Sequence, residues 1–174
     1  PADRVACLRQ LARMEDESVP AALDATLASD SALLRASARD VLASQDVAAG
    51  VDAYLSVLER DFAGGEGEVI ERQGALLGLA STRDPRALEH LRDEVRRSFT
   101  GEPAPNPWMV ELIEIASASD DPQLSRFASE WLAESVDDPT RWSVALLGGD
   151  ADAGRKVAHY HPSAACLQIG RAHV

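Results

Sequence analysis

Residues 71–88 decide how this chain folds, and they read Glu71-Arg-Gln-Gly-Ala-Leu-Leu-Gly-Leu-Ala-Ser-Thr-Arg-Asp-Pro-Arg-Ala-Leu88. The first part is typical of a helix that ends at Leu79-Ala80-Ser81. Asp84 and Pro85 then start a second helix. Asp accepts hydrogen bonds from the free N–H groups at a helix start, and proline is tolerated there because the N–H groups of the first turn have no acceptor within the helix. The stretch therefore predicts two helices joined by a short turn.

The same ending recurs on both sides of this stretch. Helices are predicted to end at Leu42-Ala43-Ser44, Leu79-Ala80-Ser81 and Ile115-Ala116-Ser117, which are 37 and 36 residues apart (80 − 43 and 116 − 80). Further Asp-Pro steps stand at Asp121-Pro122 and Asp138-Pro139. A repeat of this length, built from helix, turn and helix, is typical of α-solenoids.

Apolar side chains recur at helical spacing along the body of the chain. A stripe of this kind lets a helix bury one face against its neighbours. The clearest stripes are Leu88-Leu91-Val95-Phe99, Val51-Leu55-Leu58-Phe62, Leu124-Phe127-Trp131-Leu132 and Trp108-Leu112 with Ile115 or Ala116. We predict helices near residues 2–14, 18–29, 31–44, 46–62, 67–81, 84–98, 107–118, 121–135 and 139–147. No stretch alternates with period two, so the predicted fold class is all-α, an α-solenoid.

Three breaks interrupt the helical pattern. Ala63-Gly-Gly-Glu-Gly67 predicts a flexible loop between repeats, and Gly101-Glu-Pro-Ala-Pro-Asn-Pro107 predicts a stiffer connector because its prolines block a helix. The one predicted domain boundary is at Gly148-Gly149, where the repeats stop.

Composition limits the partners of the chain. It has 174 residues, of which 45% are hydrophobic and 5% aromatic, and its formal net charge is −12. Such a composition favours helices packed through small side chains. The acidic surface repels phosphate backbones, so we expect no nucleic-acid partner, and no apolar run is long enough to predict a membrane span.

The body, residues 1–147, resembles HEAT repeats of the short bacterial kind, and residues 71–88 are the best match. The first two predicted helix pairs depart from the pattern because they lack Asp-Pro. The resemblance implies a curved scaffold that binds protein partners or sister domains, and it implies no reaction.

Residues 148–168 are different. They contain Gly149-Asp150, then Gly154-Arg-Lys-Val157 and, after a short stretch, Cys166. This order resembles the opening of a class I c-type cytochrome domain, in which the cysteine begins Cys-x-x-Cys-His. By that resemblance Cys166 is the first thioether cysteine of a haem c. Ile169 and Gly170 stand where the second cysteine and the histidine are expected, and Ala158 stands where the family has an aromatic residue.

The last six residues, Ile169-Gly-Arg-Ala-His-Val174, match one reading frame of a common short-read sequencing adapter. We therefore interpret residues 169–174 as a library artefact. We expect the natural protein to have further residues before Pro1 and after residue 168. The alternative interpretation is a genuine tail. On the first interpretation the complete protein holds a haem c that this fragment cannot hold.

Other residues with potential chemistry have simpler explanations. Cys7 is predicted to be a small buried side chain, and a disulfide with Cys166 has no support. His159 and His161 point different ways on a helix, so they make a poor shared metal site. The many carboxylates, such as Asp120 and Asp121, fall at helix starts, where capping explains them. We therefore expect no catalytic residues and no metal site in this segment.

The order of HEAT repeats followed by a haem domain resembles large secreted proteins of planctomycete and verrucomicrobial bacteria, in which the repeats follow a sugar-dehydrogenase-like β-propeller. It implies a scaffold segment of a periplasmic or extracytoplasmic electron-transfer protein. The alternative is a plain HEAT module for protein–protein interaction, without haem. A third hypothesis, a HEAT-type lyase or DNA glycosylase, is disfavoured by the acidic surface.

Overall fold

The computed structural model describes residues 2–13, 18–61, 63–100 and 107–135. Over these residues it contains eight α-helices and no strand, so the prediction of an all-α fold is confirmed. The helices are α1 (Ala2–Arg13), α2 (Val19–Leu27), α3 (Ala32–Gln45), α4 (Val47–Leu58), α5 (Glu66–Ser81), α6 (Pro85–Thr100), α7 (Met109–Ala118) and α8 (Pro122–Ser135). Each corresponds to one of the first eight predicted helices.

Several predictions concern residues outside this description. They are the ninth helix at 139–147, the boundary at 148–149, the cytochrome-like segment at 148–168 and the tail at 169–174. Residues 101–106 of the proline-containing connector are also outside it.

Aspartates begin the second helix of three successive pairs. Asp46 accepts a hydrogen bond from the Ala49 amide at 3.0 Å. Asp84 accepts one from the Arg86 amide at 2.8 Å, and Asp121 accepts from two amides at the start of α8, both at 3.1 Å. Pro85 and Pro122 are the first residues of α6 and α8. The predicted capping role of the Asp-Pro steps at 84–85 and 121–122 is confirmed.

The predicted flexible loop at 63–67 is shorter than expected, because α5 already begins at Glu66. Glu66 and Glu68 lie in the first turn of α5, where negative charge is favourable. Gly64 has φ of +91°, a conformation that glycine adopts without steric cost.

The described helices contact one another in a regular order. The odd-numbered helices α1, α3, α5 and α7 contact in succession, and α4, α6 and α8 contact in a second succession. Each odd-numbered helix also contacts the even-numbered helix that follows it. The described residues therefore form four consecutive helix pairs with contacts between neighbouring pairs.

Two clusters form most of the core. The larger one joins α4 to α8 through side chains that include Tyr54, Leu76, Leu79, Leu112 and Leu124. The smaller one joins the first three helices through Leu8, Val19, Leu23, Ala38 and Val41. Burying a large apolar side chain contributes roughly 1.5–3 kcal/mol, so these contacts between pairs carry much of the stability.

Two glycines allow close helix approach at α4. A Cβ on Gly50 would lie 2.3 Å from the Ala43 Cβ, and a Cβ on Gly78 would lie 2.3 Å from a carbon of the Tyr54 ring. Only a residue without a side chain fits at such a distance, so α3 and α5 both pack tightly on α4.

The predicted apolar stripes are confirmed in part. Trp108, Leu112 and Ile115 are all buried. Leu132, in contrast, is 36% exposed, so its assignment to the core is wrong. It directly follows the buried Trp131, and consecutive helical residues point about 100° apart, so the two side chains do not share a face.

Candidate functional site

Much of the predicted chemistry falls outside the described residues. Cys166, which the cytochrome resemblance assigns as a thioether cysteine, lies there, as do His159 and His161. Among the residues that the structure describes, no group of three or more His, Cys, Asp or Glu side chains is placed to hold a metal ion.

Cys7 is an exposed residue of α1, so the prediction that it is buried is wrong. The neighbouring Leu8 provides the buried contact instead. Adjacent residues of a helix point in directions about 100° apart, so an apolar run such as 5–8 cannot place all of its members on one face. The thiol is accessible as a labelling site.

Glu71 on α5 is the centre of a buried charge cluster. It is 4% exposed, and Arg35 on α3 donates to both of its oxygens, from Nε to Oε1 at 3.0 Å and from Nη2 to Oε2 at 2.8 Å. Arg39, also on α3, donates from Nη2 to Oε1 at 2.6 Å. Arg60 Nη2 lies 3.8 Å from the same oxygen. We call these four residues the Glu71 cluster.

The charges of the Glu71 cluster depend on one another. Burial raises the pKa of Glu71, but the hydrogen bonds from Arg35 and Arg39 outweigh it and hold the pKa below its ordinary value. Arg39 is 7% exposed, and within the described residues its buried Nη1 has no hydrogen-bond partner. Because a buried cation without its anion is strongly unfavourable, Glu71 is the residue on which this interface depends.

The next interface, between α5 and α7, uses different chemistry. The Arg72 guanidinium lies 5.0 Å from the centroid of the Trp108 ring, a cation–π distance. Gln73 Nε2 donates to Glu111 Oε1 at 2.8 Å and to the Pro107 carbonyl at 3.3 Å. One cation over an aromatic ring and one amide–carboxylate hydrogen bond therefore replace the charge cluster.

The arginines of the two interfaces correspond in their sequence spacing, but their partners do not. Arg72 follows Arg35 by 37 residues (72 − 35), which is also the spacing between the helix ends at Leu42-Ala43-Ser44 and Leu79-Ala80-Ser81. The next helix end follows after 36 residues, so Glu71 corresponds in spacing to Pro107 and not to Trp108 (71 + 36). Arg35 therefore binds a carboxylate within α5, whereas Arg72 contacts an aromatic ring just before α7.

Glu111 is less well satisfied than Glu71. Burial raises its pKa, while the hydrogen bond from Gln73 partly opposes this effect. Its Oε2 is buried and has no hydrogen-bond partner among the described residues. The negative form of Glu111 is therefore disfavoured in the folded protein.

Two grooves that share residues 81–84 adjoin the turns within three of the helix pairs, and we call these turns the turn edge: residues 45–46, 82–84 and 119–121. A groove of about 840 Å³ lies between the second and third of these turns. Its apolar lining includes Leu77, Leu88, Leu91, Ile115 and Leu124, and its acidic lining is Asp84, Glu114, Asp120 and Asp121.

A second groove of about 690 Å³ continues along the turn edge toward α3 and α4. It shares residues 81–84 with the first groove and is also lined by Asp40, Val47 and Tyr54. Tyr54 donates a hydrogen bond to Asp40 Oδ1 at 2.9 Å. Burial raises the pKa of both groups, so the Tyr54 hydroxyl stays protonated and acts as a donor.

Ion pairs join neighbouring helix pairs near the turn edge. Arg92 of α6 donates to both oxygens of Asp121, which holds the pKa of that carboxyl below its ordinary value. Arg86 donates to Asp84 and also reaches Asp52 of α4, from Nη1 to Oδ1 at 2.7 Å. The aspartates of two turns therefore both cap a helix and bind an arginine.

His90 on α6 is half-buried, and its Nε2 has no hydrogen-bond partner within the described part of the chain. Burial lowers its pKa, although the charge of Glu94 opposes the shift. The imidazole is therefore favoured in its neutral form at neutral pH.

Comparison with known protein families, with curated proteins and with solved structures finds no match to this chain. None of the described helices is long and apolar enough to cross a membrane.

Proposed function

We propose that the helix pairs form a HEAT-like α-solenoid that serves as a scaffold. The support is the contact order, in which each odd-numbered helix touches the next odd-numbered helix and α4, α6 and α8 do the same. Arg35 and Arg72 add support, because they are 37 residues apart and each contacts a residue of the following helix pair, as expected when similar units stack.

The scaffold is a spacer in an extracytoplasmic electron-transfer protein, where it holds a dehydrogenase domain and a haem domain at a fixed distance. The observation that carries the spacer role is the Glu71 cluster. A buried carboxylate on one helix pair, bound by two arginines of the preceding pair, resists separation and rotation of the two pairs. The haem domain rests on the cytochrome resemblance of residues 148–168 alone.

The residues of this chain do not fit a covalent haem. Haem c attachment needs two thiols and an axial histidine, and here Cys166 is followed by Ile169 and Gly170. Cys7 lies on α1, far from this motif in sequence. No electron-transfer step is therefore assigned to the chain as it stands.

The haem proposal is tested on the parent gene. We expect its sequence to encode Cys and His directly after residue 168, and the parent protein made with haem-maturation machinery to show the absorption of a covalent haem after denaturation. If Ile169 and Gly170 are encoded in the gene, or if the parent protein carries no covalent haem, the electron-transfer assignment fails and the scaffold proposal remains.

The second candidate function is a protein-interaction module without haem. The turn-edge groove favours it, since it offers a concave, partly apolar surface on the scaffold. A parent sequence without a haem motif, together with binding of a protein ligand to that groove, would favour this function.

A further inference from the structure

The larger groove of the turn edge combines apolar side chains with an accessible opening. Leu77 of α5 lines it and is 48% exposed, and Leu88 and Ile115 also line it. A single exposed leucine on a flat surface is ordinary, but one that lines a concavity of about 840 Å³ with further apolar side chains is placed to receive an apolar group.

The charge around this groove is negative for two independent reasons. Glu114 and Asp120 line it and are exposed, and neither takes part in an ion pair or side-chain hydrogen bond within the described residues. In addition, α5 and α7 end here, so their last carbonyl groups contribute partial negative charge.

The opposing positive charge is largely neutralised. The positive N-terminal ends of α6 and α8 also lie at this edge, but Asp84 and Asp121 cap them. Arg86 and Arg92 are in turn bound to these two aspartates. Among the lining residues, Arg83 is the one cationic side chain, whereas Glu114 and Asp120 are two anionic side chains without an ion-pair partner among the described residues.

We propose that this groove binds a cationic, amphipathic peptide segment of a partner protein. An apolar side chain of the peptide packs against Leu77 and Ile115, and its lysine or arginine side chains approach Glu114 and Asp120. The charge complementarity selects this occupant, since the net charge of −12 repels acidic peptides and nucleic acids. The inference rests on contacts among α5 to α8 and does not depend on the spacer or haem proposals.

The test measures fluorescence anisotropy with a labelled short peptide of alternating leucine and lysine, added to the 174-residue chain. A peptide of leucine and glutamate with the same length is the charge control. We expect the lysine peptide to bind, its affinity to fall as salt is added, and the glutamate peptide to bind at least about tenfold more weakly.

Matched variants locate the binding. Leu77→Ser and Glu114→Lys should each lower the affinity for the lysine peptide by about tenfold, a change of about 1.4 kcal/mol in the binding free energy. Leu33→Ser is the control for the first, because Leu33 is also 48% exposed but lies on α3 outside the groove. Glu89→Lys is the control for the second, since Glu89 is an exposed residue of α6 that does not line the groove.

Three results would overturn the proposal. The first is no binding of the lysine peptide, or equal binding of the glutamate peptide. The second is an equal loss of affinity in the control variants, which would indicate non-specific charge attraction. The third is a dimer in sedimentation analysis that Leu77→Ser dissociates, which would assign the groove to a second copy of the chain. The folded state of every variant is checked by circular dichroism, so a lost affinity is not confused with unfolding.

Discussion

The interface between α3 and α5 and the interface between α5 and α7 are both held by an arginine, but its partner is a carboxylate in one and an aromatic ring in the other. In the first, Glu71 receives Arg35 and Arg39, and both Glu71 and Arg39 are almost closed to solvent. In the second, Arg72, which follows Arg35 by 37 residues, lies over the ring of Trp108. An arginine therefore joins one helix pair to the next at both interfaces, and its partner differs.

The difference concerns the cost of losing the partner. A carboxylate bound by buried guanidinium groups cannot be removed without leaving buried positive charge. A ring next to a cation can be replaced by another apolar side chain with a smaller loss. Removing the arginine's partner is therefore expected to lower the free energy of unfolding more at the α3–α5 interface than at the α5–α7 interface. The following predictions test that expectation in decreasing order of effect.

The largest effect is expected for Glu71→Ala, which leaves Arg39 buried without its anion. We expect the free energy of unfolding to fall by about 3–5 kcal/mol, measured by urea denaturation. The control is Arg60→Ala, which removes the most distant and most exposed arginine of the Glu71 cluster and should cost no more than about 1 kcal/mol. Equal losses in the two variants would contradict the assigned role of Glu71.

Gly78→Ala tests the close approach of α4 and α5. Its Cβ would lie 2.3 Å from the buried Tyr54 ring, so we expect a loss of about 1–3 kcal/mol in urea denaturation. Gly74→Ala on the same helix is the control. Its Cβ would lie 3.3 Å from the Ala36 Cβ, and the higher helix propensity of alanine offsets this tighter contact. A stable Gly78→Ala protein would show that the two helices are not packed as described.

A pair of double-mutant cycles compares the two arginine contacts directly. For Arg72→Met with Trp108→Phe we expect a coupling free energy of about 0.5–2 kcal/mol, because phenylalanine keeps the packing but weakens the cation–π attraction. For Arg35→Met with Glu71→Gln the coupling should be larger, because both partners are charged and joined by two hydrogen bonds. A larger coupling at Trp108 would reverse the comparison.

The smallest effect concerns pH. The pKa of Glu111 is raised by burial, so the folded state binds its proton more tightly, and this group adds stability as the pH falls through its folded pKa. The pKa of Glu71 is lowered, so its contribution is present above its unfolded pKa and is lost as the pH falls toward the folded value.

Glu111→Gln should therefore be as stable as the unsubstituted chain at pH 7 or slightly more stable, with the difference shrinking at lower pH. Glu71→Gln should be less stable at pH 7, with a difference that shrinks only in more acidic solution. Urea denaturation across the pH range measures both differences. A loss of stability at pH 7 in Glu111→Gln, or a gain in Glu71→Gln, would contradict the assigned environments.

The helices could be predicted from sequence because their signals are local. Leu79-Ala80-Ser81 ends α5, and Asp84 with Pro85 begins α6, as expected. The end of α4 was less visible, since its apolar stripe continues to Phe62 while the helix stops at Leu58. Cys7 was placed inside because its neighbours are apolar, but its direction on the helix decides its exposure.

The interfaces between pairs could not be predicted, and they contain most of the candidate site. Arg35 and Glu71 are 36 residues apart in the sequence, and the chain has 17 basic and 29 acidic side chains from which to choose partners. The spacing close to the repeat length was the one available signal. The turn-edge groove could likewise not be predicted from the sequence, because it forms only where two turns from different helix pairs lie next to each other.

The spacer proposal requires that the helix pairs keep a fixed distance between the two ends of the stack. Pulsed electron–electron double resonance tests it most directly. One spin label is attached to the exposed Cys7 of α1 and the other to α8, in a chain that carries Ser129→Cys for labelling and Cys166→Ser to remove the remaining thiol. We predict a single narrow distance distribution, which Glu71→Ala broadens under conditions where the chain stays helical. A broad distribution in the chain with Glu71 intact would contradict the account.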